Sequence, residues 1–391
     1  MIEKALTGDS KYWTWLTFLL VLMGIGGACY VQQFNYGLGY TGMSRDVSWG
    51  LYISQFTFLV GVAAGGVMLV LPYYLHNYKA FGRITILGEF MAVAAVAMCL
   101  MFILADLGQP MRALNVLLHP TPNSILFWDM IVLNGYLFLN IVGGWVILNA
   151  EKANVPPPKW VKVLIYISIP WAISIHTVTA FLYCGLPGRH YWLTAILAPR
   201  FLASAFAAGP ALLVICALVL RRFTAFDAGK EAINKLLTII TYAAILNFFF
   251  VGLELFVAYY SQIPGHMHTI DYLFFGLRDH DTGQLYNNLV GPMRFSALIG
   301  IVATIALLFP KMRESYTTVG WLCGAIFLSL WIDKGLGLVL GGFVPSPLEY
   351  ITEYYPSAGE IGITLGVWAT GFFILTVLYK AAISVKLAKE N

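Results

Sequence analysis

Ten apolar stretches of about 20 residues divide this chain and leave room for little besides membrane-spanning helices. A helix rises about 1.5 Å per residue, so about 20 apolar residues cross the hydrocarbon core of a bilayer. Backbone polar groups find no water there, so each stretch must close its hydrogen bonds internally as a helix. The stretches fall near 12–31, 50–75, 83–105, 124–149, 161–183, 200–220, 236–260, 291–310, 317–340 and 359–381. Proline and glycine mark many of their ends, most sharply at Pro156-Pro157-Pro158. Composition agrees: 59% of the 391 residues are hydrophobic and only 11% charged, against about 25% charged in a soluble domain. The expected fold class is an all-α integral membrane protein with ten transmembrane helices and no separate soluble domain of ordinary size.

The first stretch begins near Tyr12 and lacks a small-x-small cleavage site, so it reads as a retained helix. The net charge of +4 resides in short basic loops and does not point to nucleic acid. Of the 23 Lys and Arg, sixteen lie at the termini and in the loops after the second, fourth, sixth and eighth spans. Six (Arg45, Arg112, Arg189, Arg200, Arg278 and Arg294) fall on the other side, and Lys334 lies within a span. Loops rich in Lys and Arg stay in the cytoplasm, which places both termini there. The outer connections (32–49, 106–123, 184–199, 261–290 and 341–358) are then the longer ones, rich in Gly, Pro, Tyr and His, and suited to docking a partner. A weak parallel repeat is also visible: Ala63-Ala64-Gly65-Gly66 in the second span matches Ala207-Ala208-Gly209-Pro210 in the sixth. Small residues at such positions also serve close helix packing.

With this orientation, the buried charge is lopsided. His176, Asp129, Glu254, Asp333, Lys334, Arg294 and, at a helix mouth, Asp106 all fall in the outer half. An ionisable side chain at the centre of a span costs about 2.5–3.5 kcal/mol unless it faces protein, water or ligand. Such a grouping implies a polar site near the outer surface. No metal centre is expected: Cys29, Cys99, Cys184, Cys216 and Cys323 form no C-x-x-C pair and read as small apolar filler. Of the seven histidines only His176 lies well inside a span, so a transmembrane haem held by two histidines is not expected. Electrons passing here would come from another subunit.

His176 can hydrogen-bond a carbonyl or hydroxyl and exchange protons near its ordinary pKa of about 6.5. Asp129 opens the fourth span and Asp106 closes the third at comparable depth. A quinone head group needs such a set: partners for its two ring oxygens and groups that move protons. In the turn Asp106-Leu107-Gly108-Gln109-Pro110-Met111-Arg112, Arg112 can pair with Asp106. Glu89 is the one carboxylate in the inner half of a span, and with Asn140 it could carry protons inward from the cytoplasm. Alternatively it pairs with Arg83 or snorkels to the interface. Glu254, Asp333 and Lys334 would form a second proton route or simply neutralise one another.

The Asp106–Arg112 stretch resembles the D-L-G-x-P-x-R segment of the NrfD/polysulfide reductase family of membrane subunits. Trp49-Gly50-Leu51-Tyr52, with Gly61 and Gly65-Gly66, and Asn123-Ser124-Ile125-Leu126-Phe127 agree with it. The segment from His176 through Gly188-Arg189-His190-Tyr191-Trp192 is similar to the ten-helix, DsrP-type branch of the Dsr membrane complexes of sulfur-metabolising prokaryotes. The resemblance spans the second to ninth helices. It implies two four-helix bundles within one transmembrane domain: helices 2–5 (50–183), with the quinone site, and helices 6–9 (200–340). The first (12–31) and last (359–381) helices flank them. It also implies menaquinone or another quinone as cofactor, with no haem or iron–sulfur cluster on this chain. An outer ferredoxin-like iron–sulfur subunit would be the partner. Other Dsr-type subunits would complete the complex: a haem b membrane subunit, a multihaem cytochrome c and a cytoplasmic iron–sulfur subunit. The chain would then be non-catalytic alone, exchanging electrons between quinone and the outer subunit in dissimilatory sulfur metabolism. Asp106 and Arg112 match the family's loop motif; Asp129 and His176 match polar positions of its site less closely. A secondary transporter of a small solute, or a passive anchor for redox subunits, stays open on the residues alone.

Overall fold

The computed structural model describes residues 2–279 and 282–390; His280 lies outside them. Among the described residues ten helices are long and apolar enough to cross a membrane, and they fall where the hydropathy windows place them. They are α1 (Ser10–Tyr40), α2 (Leu51–Leu75), α3 (Thr85–Asp106), α4 (Ile125–Lys152), α5 (Lys159–Cys184), α6 (Leu197–Phe223), α7 (Lys230–Tyr260), α8 (Val290–Leu308), α9 (Tyr316–Gly341) and α10 (Ala358–Ala388). Ten traverses bring both termini to one face, where Lys380 Nζ donates to the Thr7 carbonyl. Loops on the opposite, far face carry a short helix at Pro264–Phe274 and a small hairpin pairing Leu277–Arg278 with Leu285–Tyr286.

The packing divides the bundle. α2 packs on α3, α3 on α4, α4 on α5, and α5 returns to α2. α6, α7, α8 and α9 close a second ring in the same way. Lipid provides no hydrophobic drive between helices, so close approach at small residues does much of the work. The two members of the weak repeat meet at the seam: Gly65 of α2 abuts Gly209 of α6, backbone against backbone. Equivalent glycines touching one another is the contact expected of two repeats related by an axis along the membrane normal. α1 and α10 pair outside the first ring, Gly26 against Gly366, and α10 leans on α3.

α2 and α9 depart from regular α geometry within their spans. α2 tightens at Gly65-Gly66, where Met68 N bonds to Gly65 O (3.2 Å) and Leu69 N to Gly66 O (3.0 Å). α9 loosens into a π-helix over Trp331–Gly337, a form often found at functional sites. The start of α10 is held by a capping box: Ser357 N donates to Glu360 Oε2 (2.8 Å) and Glu360 N to Ser357 Oγ (3.2 Å). Glu360 is fully buried and also accepts from Tyr354 Oη (2.5 Å) and Gly42 N (2.6 Å), tying two far-face loops to the helix.

Candidate functional site

On the far half of the first ring, one face of α5 carries His176, Thr179 and Tyr183, three and then four residues apart. Each is buried. Thr179 donates to Asp129 Oδ1 of α4 at 2.7 Å, so the carboxylate is fixed by a hydroxyl rather than by a cation. Tyr183 shares a hydrogen bond with Thr57 of α2. His176 differs from its neighbours: it is 1% exposed, and neither Nδ1 nor Nε2 has a hydrogen-bond partner. A buried polar group left unpaired costs about 1–3 kcal/mol.

Above these residues an aromatic roof joins the far-face loops. Tyr183 makes edge contacts with Trp49 (5.4 Å) and Trp192 (5.0 Å), and Trp49 stacks on Trp192 (5.8 Å). Trp192 Nε1 donates to Leu338 O at 2.8 Å. Arg189 locks the roof: its guanidinium donates to Phe343 O (3.0 Å) and Asp46 O (3.1 Å) and lies 4.5 Å over the Phe343 ring.

Asp106 occupies a neighbouring pocket rather than the His176 face. Gln33 of α1 donates to Ala105 O (2.6 Å) and accepts from Tyr52 Oη of α2 (2.6 Å), while Asp106 Oδ1 is buried without a partner. The Asp106–Arg112 pairing expected across the turn does not form. Pro110 starts a tight 3-10 turn that carries Arg112 to the exposed surface.

The second ring corrects the sequence reading more strongly. Arg200, assigned from sequence to an outer loop, sits inside α6 at 5% exposure. It donates to Glu254 of α7 at 2.5 Å and to both carboxylate oxygens of Asp333 at 3.0 Å. Glu254 and Asp333 therefore do not pair directly with Lys334; Arg200 holds both carboxylates. Lys334, 4% exposed, is turned the other way by the π-helix. It lies 4.2 Å over the Phe201 ring with Phe201 O at 3.5 Å, next to Gly61 of α2. Tyr191 covers the Arg200 cluster, and burial pushes its phenol up to about 12, leaving it a donor near neutral pH.

Near the termini, Glu89 is buried beside Glu151 and Lys386 rather than Arg83, against that expectation; Arg83 donates to Asp227 O. Nor does Glu89 snorkel to the surface. Asn140 lies buried on α4, its amide donating to Tyr136 O at 2.8 Å. Sequence reasoning missed Thr179, Tyr183, Thr57 and Arg200. The first two were available as positions on the helical face of His176; Thr57 carried no local signal, and Arg200, at the edge of its apolar stretch, was read as lying outside.

Among the described residues no group of three or more His, Cys, Asp or Glu is arranged to hold a metal ion. Fold and site together define a polytopic helical membrane protein with a cluster of buried polar side chains beneath one face. The chain belongs to the family described as polysulphide reductase, NrfD, which matches residues 39–330. It is 26% identical to a selenate reductase subunit of Mesobacillus selenatarsenatis, over 68% of this chain and 69% of that one. It is 21% identical to the menaquinone reductase integral membrane subunit of Nitratidesulfovibrio vulgaris, over 95% and 91%. Among solved structures, the bd oxidase of Geobacillus thermodenitrificans shares the fold, with TM-score 0.53 and 12% identity over 95% of this chain and 99% of that one.

Proposed function

We propose that this chain is the quinone-exchanging membrane subunit of a multi-subunit oxidoreductase, with the quinone head group held at His176. The carrying observation is that imidazole: buried within a span, unpaired at both nitrogens, and one helical turn from Thr179, which holds the Asp129 carboxylate. A side chain with an uncompensated cost of this size is explained by a ligand that completes it. A quinone oxygen would accept from one imidazole nitrogen, and the other nitrogen is free to take up or return a proton. Asp129, held by Thr179 one turn along α5 from His176, would pass that proton on, and Asp106 lies near Tyr52 and Gln33. The aromatic roof keeps bulk water off the ring. The quinone supplies the two-electron chemistry; this chain supplies binding, orientation and protons.

Membership of the NrfD family supports this reading, as does likeness to a relative named a menaquinone reductase subunit. Menaquinone is accordingly the favoured quinone. Electrons would exchange with an iron–sulfur subunit docked on the far face. Met111, Leu118 and Leu348, 82%, 68% and 72% exposed on its loops, suit such a contact. The bias of Lys and Arg toward the terminal face supports cytoplasmic termini in a prokaryotic inner membrane. A role in sulfur metabolism rests on the resemblance of the His176–Trp192 stretch to Dsr-type subunits. The transporter reading is weakened because Arg200 clamps both carboxylates that would bind a coupling ion.

In the assembled complex, His176→Ala should keep its partner subunits yet lose quinone-coupled electron transfer by about a hundredfold or more. Wild-type rates in that variant overturn the assignment.

A further inference from the structure

The terminal half of the first ring holds two cavities that share a wall. The inner one, about 350 Å³, is lined by Glu89 and Thr85 of α3, Tyr73 and Tyr74 of α2, Glu151 of α4 and Lys386 of α10. The outer one, about 650 Å³, is lined by Lys4, Thr7, Glu151 and Asn154 at the terminal face. Glu151 and Asn154 belong to both. Between them Lys386 Nζ bridges Glu151 Oε1 (2.7 Å) and the Gly82 carbonyl (3.0 Å). One oxygen of each carboxylate, Glu89 Oε2 and Glu151 Oε2, is buried with no hydrogen-bond partner. Glu89 is 5% exposed, and its Oε2 uses the space left by Gly144, where a Cβ would come within 3.1 Å.

A cavity of either size accommodates several waters, and its polar walls supply the partners that waters need. The two orphaned carboxylate oxygens offer such waters acceptors. Beyond Glu89, α4 presents Asp129, Tyr136, Asn140, Gly144 and Glu151 at spacings of seven, four, four and seven, one face of a helix. That face runs for 22 residues, about 33 Å at 1.5 Å per residue, which is the thickness of the hydrocarbon core.

We propose that the two cavities form a proton-entry vestibule that ends at Glu89, with the Glu151–Lys386 ion pair as its gate. A proton from water in the outer cavity is taken by the Glu151 carboxylate, which weakens its hold on Lys386. The ammonium then stays on the Gly82 carbonyl, and the proton passes through water in the inner cavity to the Glu89 carboxylate. Glu151, again an anion, re-forms its pair with Lys386. No electrons move, and charge is conserved at each transfer. The polar face of α4 carries the proton on toward Asp129; only this last leg rests on the quinone reading.

The vestibule is tested on the purified chain and on the assembled complex. In the chain, the carboxyl stretching band assigned to Glu89 by its absence in Glu89→Gln should exchange rapidly in deuterated buffer. In Glu151→Gln and Lys386→Met that exchange should slow. In liposomes containing the complex, proton uptake from the terminal side should fall about a hundredfold in Glu89→Gln, the low end for loss of a positioned proton carrier, and partly return in Glu89→Asp. Uptake within twofold of wild type in both Glu89→Gln and Glu151→Gln overturns the vestibule. So does an exchange rate indifferent to Glu151 and Lys386. Neither result touches the His176 assignment, and failure of that assignment leaves the infrared measurement on the chain intact.

Discussion

Replacing Arg200 by methionine keeps most of the side-chain length and removes one charge from a four-charge set. Arg200 and Lys334 are balanced by Glu254 and Asp333, and the arginine makes every close ion pair among them. Without it, two carboxylates remain in the membrane interior, each costing about 3 kcal/mol on insertion scales. Lys334 lies on the same π-helical turn as Asp333 and offsets one of them. One uncompensated carboxylate remains, so Arg200→Met should destabilise the fold by about 3 kcal/mol, at the low end for breaking a buried pair. That corresponds to roughly two orders of magnitude in the unfolding equilibrium at about 1.4 kcal/mol per decade. Adding Glu254→Gln leaves Lys334 and Asp333 in balance and should bring stability back to within about 1 kcal/mol of wild type. Reversible unfolding in mixed micelles titrated with a denaturing detergent measures both variants. A single variant within about 0.5 kcal/mol of wild type, or a double variant no better than the single, refutes the charge-balance account.

Gly209→Ala forces a methyl against the Gly65 backbone at the seam and should cost about 1–3 kcal/mol, whereas Gly291→Ala, with open space around it, should cost little on the same titration. Arg189→Lys keeps the charge but not the two-pronged grip on Phe343 O and Asp46 O. It should raise amide exchange in the far-face loops and cost about 1.5–3 kcal/mol. Burial, and then the neighbouring His190, hold His266 below its ordinary pKa of about 6.5. A depressed histidine favours folding above that value and loses the advantage as pH falls through the folded pKa. Exchange in the Pro264–Phe274 helix should therefore rise on acidification below about 6.5, and His266→Gln should flatten the response. Identical pH profiles would remove His266 as the cause.

The number and placement of the spans were legible because hydrophobic length is a local property, decided by the bilayer rather than by neighbouring helices. Asp129 and His176 stood out for the same reason, since charge in an apolar run has a cost wherever its partner comes from. Their partners were another matter. Which hydroxyl holds Asp129, that Asp106 keeps company with Gln33 and Tyr52, and that Arg112 leaves the pocket all depend on how α1, α2, α4 and α5 turn about their axes. The windowed reading put Arg200 outside because a charge at a window's edge resembles a loop. Only the ring of α6, α7 and α9 surrounds it with Glu254 and Asp333. Glu151 and Lys386, 235 residues apart in sequence, became a pair when α4 and α10 met at the terminal face. Apolar length dictates that a helix crosses; the small residues at its contacts decide which face each polar group shows, and that information is shared among helices distant in the chain.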